Sequence, residues 1–210
     1  MFKKNEQAIK AFLTWLVGNF LGWIFISTLL AVLPILKSVP GFIGPLLILT
    51  IPIGFAQWLV LRRFIPLSPI WVITILIGCL LSFFIFAAIP ESLWQIVDDE
   101  ATATIAFMYT VVGAAIGLSQ WPIMQRRFTK AVLWIVGSSL GLGLGFGLVL
   151  ATGFINRSEF VSYTVVVLVY GITTGLILTW LLRYELRRPT ATDSAPPNRL
   201  MKQVSDSGKI

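Results

Sequence analysis

Six apolar segments dominate the sequence, and each is long enough to cross a bilayer, which takes about 20 helical residues. None contains Asp, Glu, Lys or Arg. They lie near residues 11–33, 42–61, 69–89, 103–124, 131–155 and 160–182. Strands of a membrane barrel would alternate apolar and polar residues, whereas helices satisfy their own backbone hydrogen bonds in lipid. The sequence therefore predicts an all-α, polytopic membrane protein with six transmembrane helices.

Positive charge is distributed unevenly among the connecting segments. The N-terminus, the loops after the second and fourth apolar segments, and the C-terminal tail hold every Lys and Arg except Lys37 and Arg157. The positive-inside rule then predicts that both termini are cytoplasmic. The same asymmetry explains the net charge of +7, so the sequence predicts no nucleic-acid partner. Only 12% of the residues are charged, against about 25% in soluble proteins.

One stretch of the chain occurs twice. A step of 63 residues, without a gap, carries Gly54-Phe-Ala-Gln57-Trp58 to Gly117-Leu-Ser-Gln120-Trp121. The same step carries Trp71 to Trp134, at the start of the following apolar segment. Each copy is typical of the end of one helix, a basic turn, and the start of the next helix.

The repeated unit is a pair of helices in the same orientation each time. Trp15-Leu-Val-Gly18 resembles Trp134-Ile-Val-Gly137, which extends the similarity to the first and third pairs. We therefore predict three parallel helical-hairpin repeats, related by an axis along the membrane normal. Their approximate limits are 9–63, 68–127 and 130–185, within a transmembrane domain spanning residues 1–188.

Residues 189–210 differ from the rest of the chain. They contain Pro189, Pro196 and Pro197 among small polar residues, with too little apolar surface to fold alone. A disordered cytoplasmic tail is predicted.

Paired tryptophans and arginines flank the two basic turns. An indole ring suits the headgroup region of a bilayer, and an arginine places its charge among the lipid phosphates. We expect these residues to anchor the helices at the interface, and a specific site for an anionic headgroup is the alternative. They are Trp58, Arg62, Arg63, Trp71, Trp121, Arg126, Arg127 and Trp134.

Three amide side chains, Asn19, Gln57 and Gln120, lie inside the apolar segments. A bare amide is expensive in lipid, so each is expected to form a hydrogen bond to a neighbouring helix. The alternative is that they line a ligand site. Small residues four apart, such as Gly113 and Gly117, predict close contacts between helix backbones.

The string GFAQWLVLRRFIPLSPIW at residues 54–71, with its second copy at 117–134, resembles the repeat of a group of small multi-spanning cyanobacterial membrane proteins whose function is not established. Those proteins carry Gly-x-x-Gln-Trp-Leu-Val-Leu-Arg, which residues 54–62 match. The second copy departs at Pro122, Met124 and Gln125. The resemblance implies a bacterial inner membrane or a thylakoid membrane, and it implies no activity.

The sequence contains no histidine and a single cysteine, Cys79. It therefore offers no Ser–His–Asp triad, no Cys–His pair and no ordinary haem or zinc site. No carboxylate lies inside the apolar segments, which excludes an aspartyl intramembrane protease and a proton relay. We predict no catalytic residue, no metal site and no cofactor.

Three functional hypotheses remain. The leading one is a non-catalytic scaffold or accessory subunit that packs against lipids and other membrane proteins. The second is a transporter or channel for a neutral or amphiphilic solute, with Asn19, Gln57 and Gln120 along its path. The third is a module that senses anionic lipid headgroups on the cytoplasmic side.

Overall fold

A computed structural model describes residues 2–32, 43–65, 69–88, 101–153 and 158–184. These ranges form six helices: α1 (Phe2–Val32), α2 (Ile43–Leu61), α3 (Ile70–Ala87), α4 (Ala101–Met124), α5 (Val132–Ala151) and α6 (Glu159–Tyr184). They contain no strand, which confirms the predicted all-α class for the described part of the chain. The predicted tail, residues 189–210, lies outside these ranges.

Five of the helices are long and apolar enough to cross a membrane. Their spans are Asn5–Thr28, Ile70–Ala87, Ala103–Met124, Val132–Ala151 and Phe160–Tyr184. In α2 the apolar stretch whose side chains are also described, Ile51–Leu61, is shorter, so the sixth crossing stays a prediction.

The first helix begins earlier than expected. The apolar segment starts at Ala11, but α1 starts at Phe2. Charged residues end an apolar run without ending a helix, because Lys and Glu are good helix formers. Glu6 and Lys10 lie one turn apart and form an ion pair at 2.9 Å.

The six helices form a closed ring. Each packs against the helices before and after it in sequence, and α6 packs against α1. Within the described ranges, no other two helices bring their backbones close together.

Glycines permit the closest approaches between helices. A Cβ atom added at Gly78 on α3 would lie 2.5 Å from Cα of Ile116 on α4. One added at Gly117 on α4 would lie 2.7 Å from Cα of Ile135 on α5. Backbone packing of this kind is how helices associate in lipid, where no hydrophobic force drives them together.

The outer surface of the ring is apolar on every helix. A large exposed hydrophobic side chain is present on each: Leu13, Phe55, Ile77, Phe107, Leu144 and Leu176. In water such a surface would be strongly unfavourable, because soluble monomers rarely expose large contiguous apolar patches. Together with the lengths of the helices, this surface indicates a multi-pass membrane protein.

Candidate functional site

Three tryptophans meet at the centre of the ring. Trp15 on α1, Trp71 on α3 and Trp134 on α5 are all 0% exposed. The ring centroid of Trp134 lies 5.5 Å from that of Trp15 and 5.8 Å from that of Trp71. Both pairs are edge-to-face, with interplanar angles of 74° and 64°. We call these residues the axial tryptophan cluster.

The cluster corrects the prediction that Trp71 and Trp134 anchor the helices at lipid headgroups. Both lie in the first turn of a helix, as expected, but their side chains point into the ring and are fully buried. Trp58 and Trp121 remain half-exposed, and the guanidinium carbon of Arg62 lies 4.8 Å from the ring centroid of Trp58. Contact of Trp58 and Trp121 with lipid stays a prediction.

Two of the three indole N–H groups donate to the preceding helix of the ring. Trp134 Nε1 donates to Gln120 Oε1 on α4 at 2.6 Å. Trp15 Nε1 donates to Thr174 Oγ1 on α6 at 3.0 Å. A buried donor without an acceptor is costly, so these bonds fix both the rings and the packing of adjacent helices.

The third indole lacks this bond. Trp71 Nε1 is buried without a hydrogen-bond partner among the described residues, and the same holds for Gln57 Oε1 on α2. The 63-residue step carries Gln57 and Trp71 to Gln120 and Trp134, the pair that does bond. In the first copy Gln57 Nε2 donates instead to Asn19 Oδ1 on α1, at 2.8 Å. The second copy of the repeat thus contains an indole–amide bond that the first copy lacks.

The predicted amides thus lie in a buried polar layer next to the tryptophans. Asn19, Gln57 and Gln120 are 1%, 1% and 0% exposed. The structure joins the first two directly, whereas Gln120 bonds to Trp134. Asn19 Nδ2 also donates to the carbonyl oxygen of Trp15, one turn earlier, at 2.9 Å.

Three further members of this layer, Ser138, Tyr170 and Thr174, were not predicted from the sequence. All three are buried, and the hydroxyl group of Tyr170 lies near the side chains of Ser138 and Gln57. A signal for Ser138 existed, because the alignment of Trp15 with Trp134 also places Asn19 on Ser138. Nothing in the repeat points to Tyr170.

The chemistry available in this layer is that of neutral amides, hydroxyls and indoles. Across the described ranges, no three His, Cys, Asp or Glu side chains lie close enough to hold a metal ion. Such groups donate and accept hydrogen bonds, and they supply neither a charge nor an activated nucleophile.

The bond between Asn19 and Gln57 can be measured with a double-mutant cycle. We expect Asn19→Ala and Gln57→Ala to show a coupling free energy of about 0.6–1.7 kcal/mol, the range for hydrogen bonds between membrane helices. The readout is the free energy of unfolding of both single variants and the double variant in bicelles. Effects that add to within about 0.3 kcal/mol would show that the two amides do not bond.

The predicted arginines lie at one end of the ring. Arg63, in the α2–α3 turn, and Arg183, near the end of α6, line one pocket together with Gln7 of α1. Lys130, in the α4–α5 turn, has its Nζ atom 5.2 Å from the ring centroid of Trp180 on α6. Both basic turns, the start of α1 and the end of α6 therefore share this end, which we call the basic end.

Exposure distinguishes the four predicted arginines of the basic end. Arg62, Arg63 and Arg126 are exposed, and Arg127 is half-buried. Their side chains are thus available to a lipid surface or to a soluble anion.

Comparison with protein-family models, with curated proteins and with solved structures gave no match.

Proposed function

We propose that the chain is a non-catalytic integral membrane protein that acts as a scaffold or accessory subunit, packing against lipids and other membrane proteins. The observation that carries this proposal is the axial tryptophan cluster. Three fully buried indole rings pack against one another inside the ring of helices. Contacts with other membrane proteins would then use the outer surface, which is apolar on every helix.

The same cluster weighs against a transporter or channel. A path along the axis would have to pass three indole rings whose centroids are 5.5 and 5.8 Å apart. The amides expected along such a path bond to neighbouring helices, Gln57 to Asn19 and Gln120 to Trp134. The proposed absence of catalysis is supported by the lack of histidine in the chain and by the neutral groups of the polar layer.

We also propose three parallel hairpin repeats with both termini cytoplasmic, in a bacterial inner membrane or a thylakoid membrane. The 63-residue step and the similarity between the segments around Trp15 and Trp134 support the repeats. The bias in Lys and Arg, with both basic turns at one end, supports the orientation. Anionic headgroups of the cytoplasmic leaflet are then the lipid partner of the basic end.

Cysteine labelling tests the orientation. Arg62→Cys and Arg126→Cys, each in a Cys79→Ala background, are expected to react with a membrane-impermeant maleimide only after the cells are permeabilised. Arg157→Cys, in the loop between the fifth and sixth apolar segments, is the control for the other side of the membrane and is expected to react in intact cells. Labelling of positions 62 and 126 from different sides would contradict the proposed topology.

Extraction with a lipid-preserving copolymer tests the scaffold role. We expect the tagged protein to leave its native membrane within a larger complex, at a fixed stoichiometry with at least one other membrane protein. A photo-crosslinking residue at the outward position Leu144, which is 58% exposed, should capture that partner. The same residue at the buried position Ser138, on the same helix, should not. A monomer with only lipid attached, and no crosslink from either position, would contradict the proposal.

A further inference from the structure

A pocket of about 240 Å³ lies at the basic end, where three separate parts of the chain meet. The start of α1 contributes Gln7 and Ala8, and the α2–α3 turn contributes Arg63 and Phe64. The end of α6 contributes Leu182, Arg183 and Tyr184. Because α6 packs against α1 and α1 packs against α2, the pocket exists only when the ring is closed.

The lining of this pocket is positively charged. Arg63 and Arg183 are both among the lining residues, and none of the described residues that line the pocket carries a carboxylate. The nearest described carboxylate along the chain, Glu6, pairs with Lys10 at 2.9 Å. Two positive charges that line one cavity repel each other, and an anion bound between them would offset this repulsion.

We propose that this basic pocket binds a phosphate group, an inference that rests on the lipid contact proposed above but not on the scaffold role. Guanidinium groups bind phosphate oxygens in a bidentate manner, with charge-assisted hydrogen bonds. The amide of Gln7 is a further donor. The apolar side chains Phe64 and Leu182 suit the carbon skeleton to which the phosphate is esterified.

The size of the pocket favours a small group. Pockets for drug-sized ligands occupy about 300–1,000 Å³, which is larger than this one. A phosphate with the adjoining glycerol carbons is the part of a phospholipid that such a pocket holds, and the acyl chains would remain outside it. A soluble phosphate ester presents the same chemistry, so the experiment has to separate the two sources.

Native mass spectrometry of the full-length protein provides the test. Protein released from zwitterionic phosphatidylcholine nanodiscs is titrated in one arm with phosphatidylglycerol and in the other with inorganic phosphate. Arg63→Gln and Arg183→Gln are compared with the matched controls Arg126→Gln and Arg127→Gln. All four variants lose one positive charge, but only the first two lose it from the pocket.

The pocket variants are expected to raise the Kd for phosphatidylglycerol by about tenfold or more, which corresponds to losing one charge-assisted hydrogen bond. The control variants are expected to change it by less than about threefold, since they act only through screened charge. Binding of inorganic phosphate with the same dependence on Arg63 and Arg183 would identify a soluble anion as the source and would still support the pocket. Equal losses in all four variants, or binding in neither arm, would overturn the proposal.

A substitution that retains the charge at position 63 distinguishes the loss of the bidentate contact from a loss of stability. Arg63 is exposed, so Arg63→Lys is expected to leave the thermal unfolding of the protein unchanged. Because lysine cannot form the bidentate contact, we expect a weakening of about threefold or more relative to the unmodified protein. Unchanged binding by both Arg63→Lys and Arg63→Gln would show that this guanidinium does not contact the ligand.

Discussion

Replacing Trp134 with alanine is expected to lower the free energy of unfolding by about 3 kcal/mol. Truncating a buried tryptophan costs about 3–5 kcal/mol in soluble proteins, and the lower value applies because lipid removes part of the hydrophobic term. The substitution removes both edge-to-face contacts of the axial tryptophan cluster at once. It also leaves Gln120 Oε1 without its donor, while Gln120 Nε2 already has no hydrogen-bond partner among the described residues.

Two further variants separate the contributions of Trp134. Trp134→Phe keeps an aromatic ring and removes the N–H group, so a loss of about 1 kcal/mol is expected. Trp121→Ala is the matched control, because Trp121 is half-exposed and lies next to Gln120 on α4. Trp121→Ala should lower the free energy of unfolding by less than half as much as Trp134→Ala, when unfolding is measured by steric trapping in bicelles. Equal losses for Trp121→Ala and Trp134→Ala would show that the axial cluster has no special role in stability.

Replacing Gly113 with alanine is expected to separate α4 from α5 and to cost about 2–3 kcal/mol. The added Cβ atom would clash with the backbone carbonyl group of Ser138 on the neighbouring helix. A backbone cannot rotate out of the way as a side chain can, so the two helices must move apart. The polar layer would open with them, since Ser138 belongs to it.

Gly147→Ala is the control for this substitution. Gly147 lies on α5 and faces α4, but its added Cβ atom would be 3.5 Å from Cβ of Ala106, which is an ordinary contact. We expect no loss of stability, or a gain of up to about 1 kcal/mol from the better helix propensity of alanine. Thermal unfolding of both variants in the same detergent provides the comparison. Equal thermal stability of Gly113→Ala and Gly147→Ala would contradict the close backbone contact at Gly113.

Much of the secondary structure could be predicted from the sequence, because the bilayer imposes a simple rule. A segment without charges has to satisfy its backbone in lipid, and only a helix does so within one segment. The sixth segment illustrates the accuracy: the predicted range was 160–182, and α6 spans Glu159–Tyr184. The close contact at Gly113 was likewise predictable, since small residues four apart mark a helix face that a backbone can approach.

The hydropathy of the sequence did not predict the direction in which the tryptophan side chains point. Trp71 and Trp134 lie in the first turn of their helices, next to the basic turns, and the hydropathy pattern predicts only this position along the helix. Whether such a side chain points to lipid or to the axis depends on the rotation of its helix within the bundle. That rotation is set by contacts between helices distant in sequence, such as the bond from Trp15 on α1 to Thr174 on α6.

The sequence repeat also did not predict that the ring of helices is closed. Three tandem hairpins are equally compatible with an open row and with a closed bundle. The contact between α6 and α1 distinguishes the two, and it also places Trp15 beside Trp134. The filled axis and the basic pocket both depend on this contact.

A disulfide between α1 and α6 tests closure most directly. A Cβ atom at Gly171 would lie 3.8 Å from Cβ of Asn19, a separation suited to a disulfide. In a Cys79→Ala background, Asn19→Cys with Gly171→Cys is expected to form an intramolecular crosslink in membranes upon mild oxidation. Gly22→Cys with Ala56→Cys, whose Cβ atoms would be 3.4 Å apart, is the positive control between α1 and α2. Efficient crosslinking of both pairs is the predicted result. Crosslinking of the control pair alone would mean that the ring is open and that its axis is not sealed.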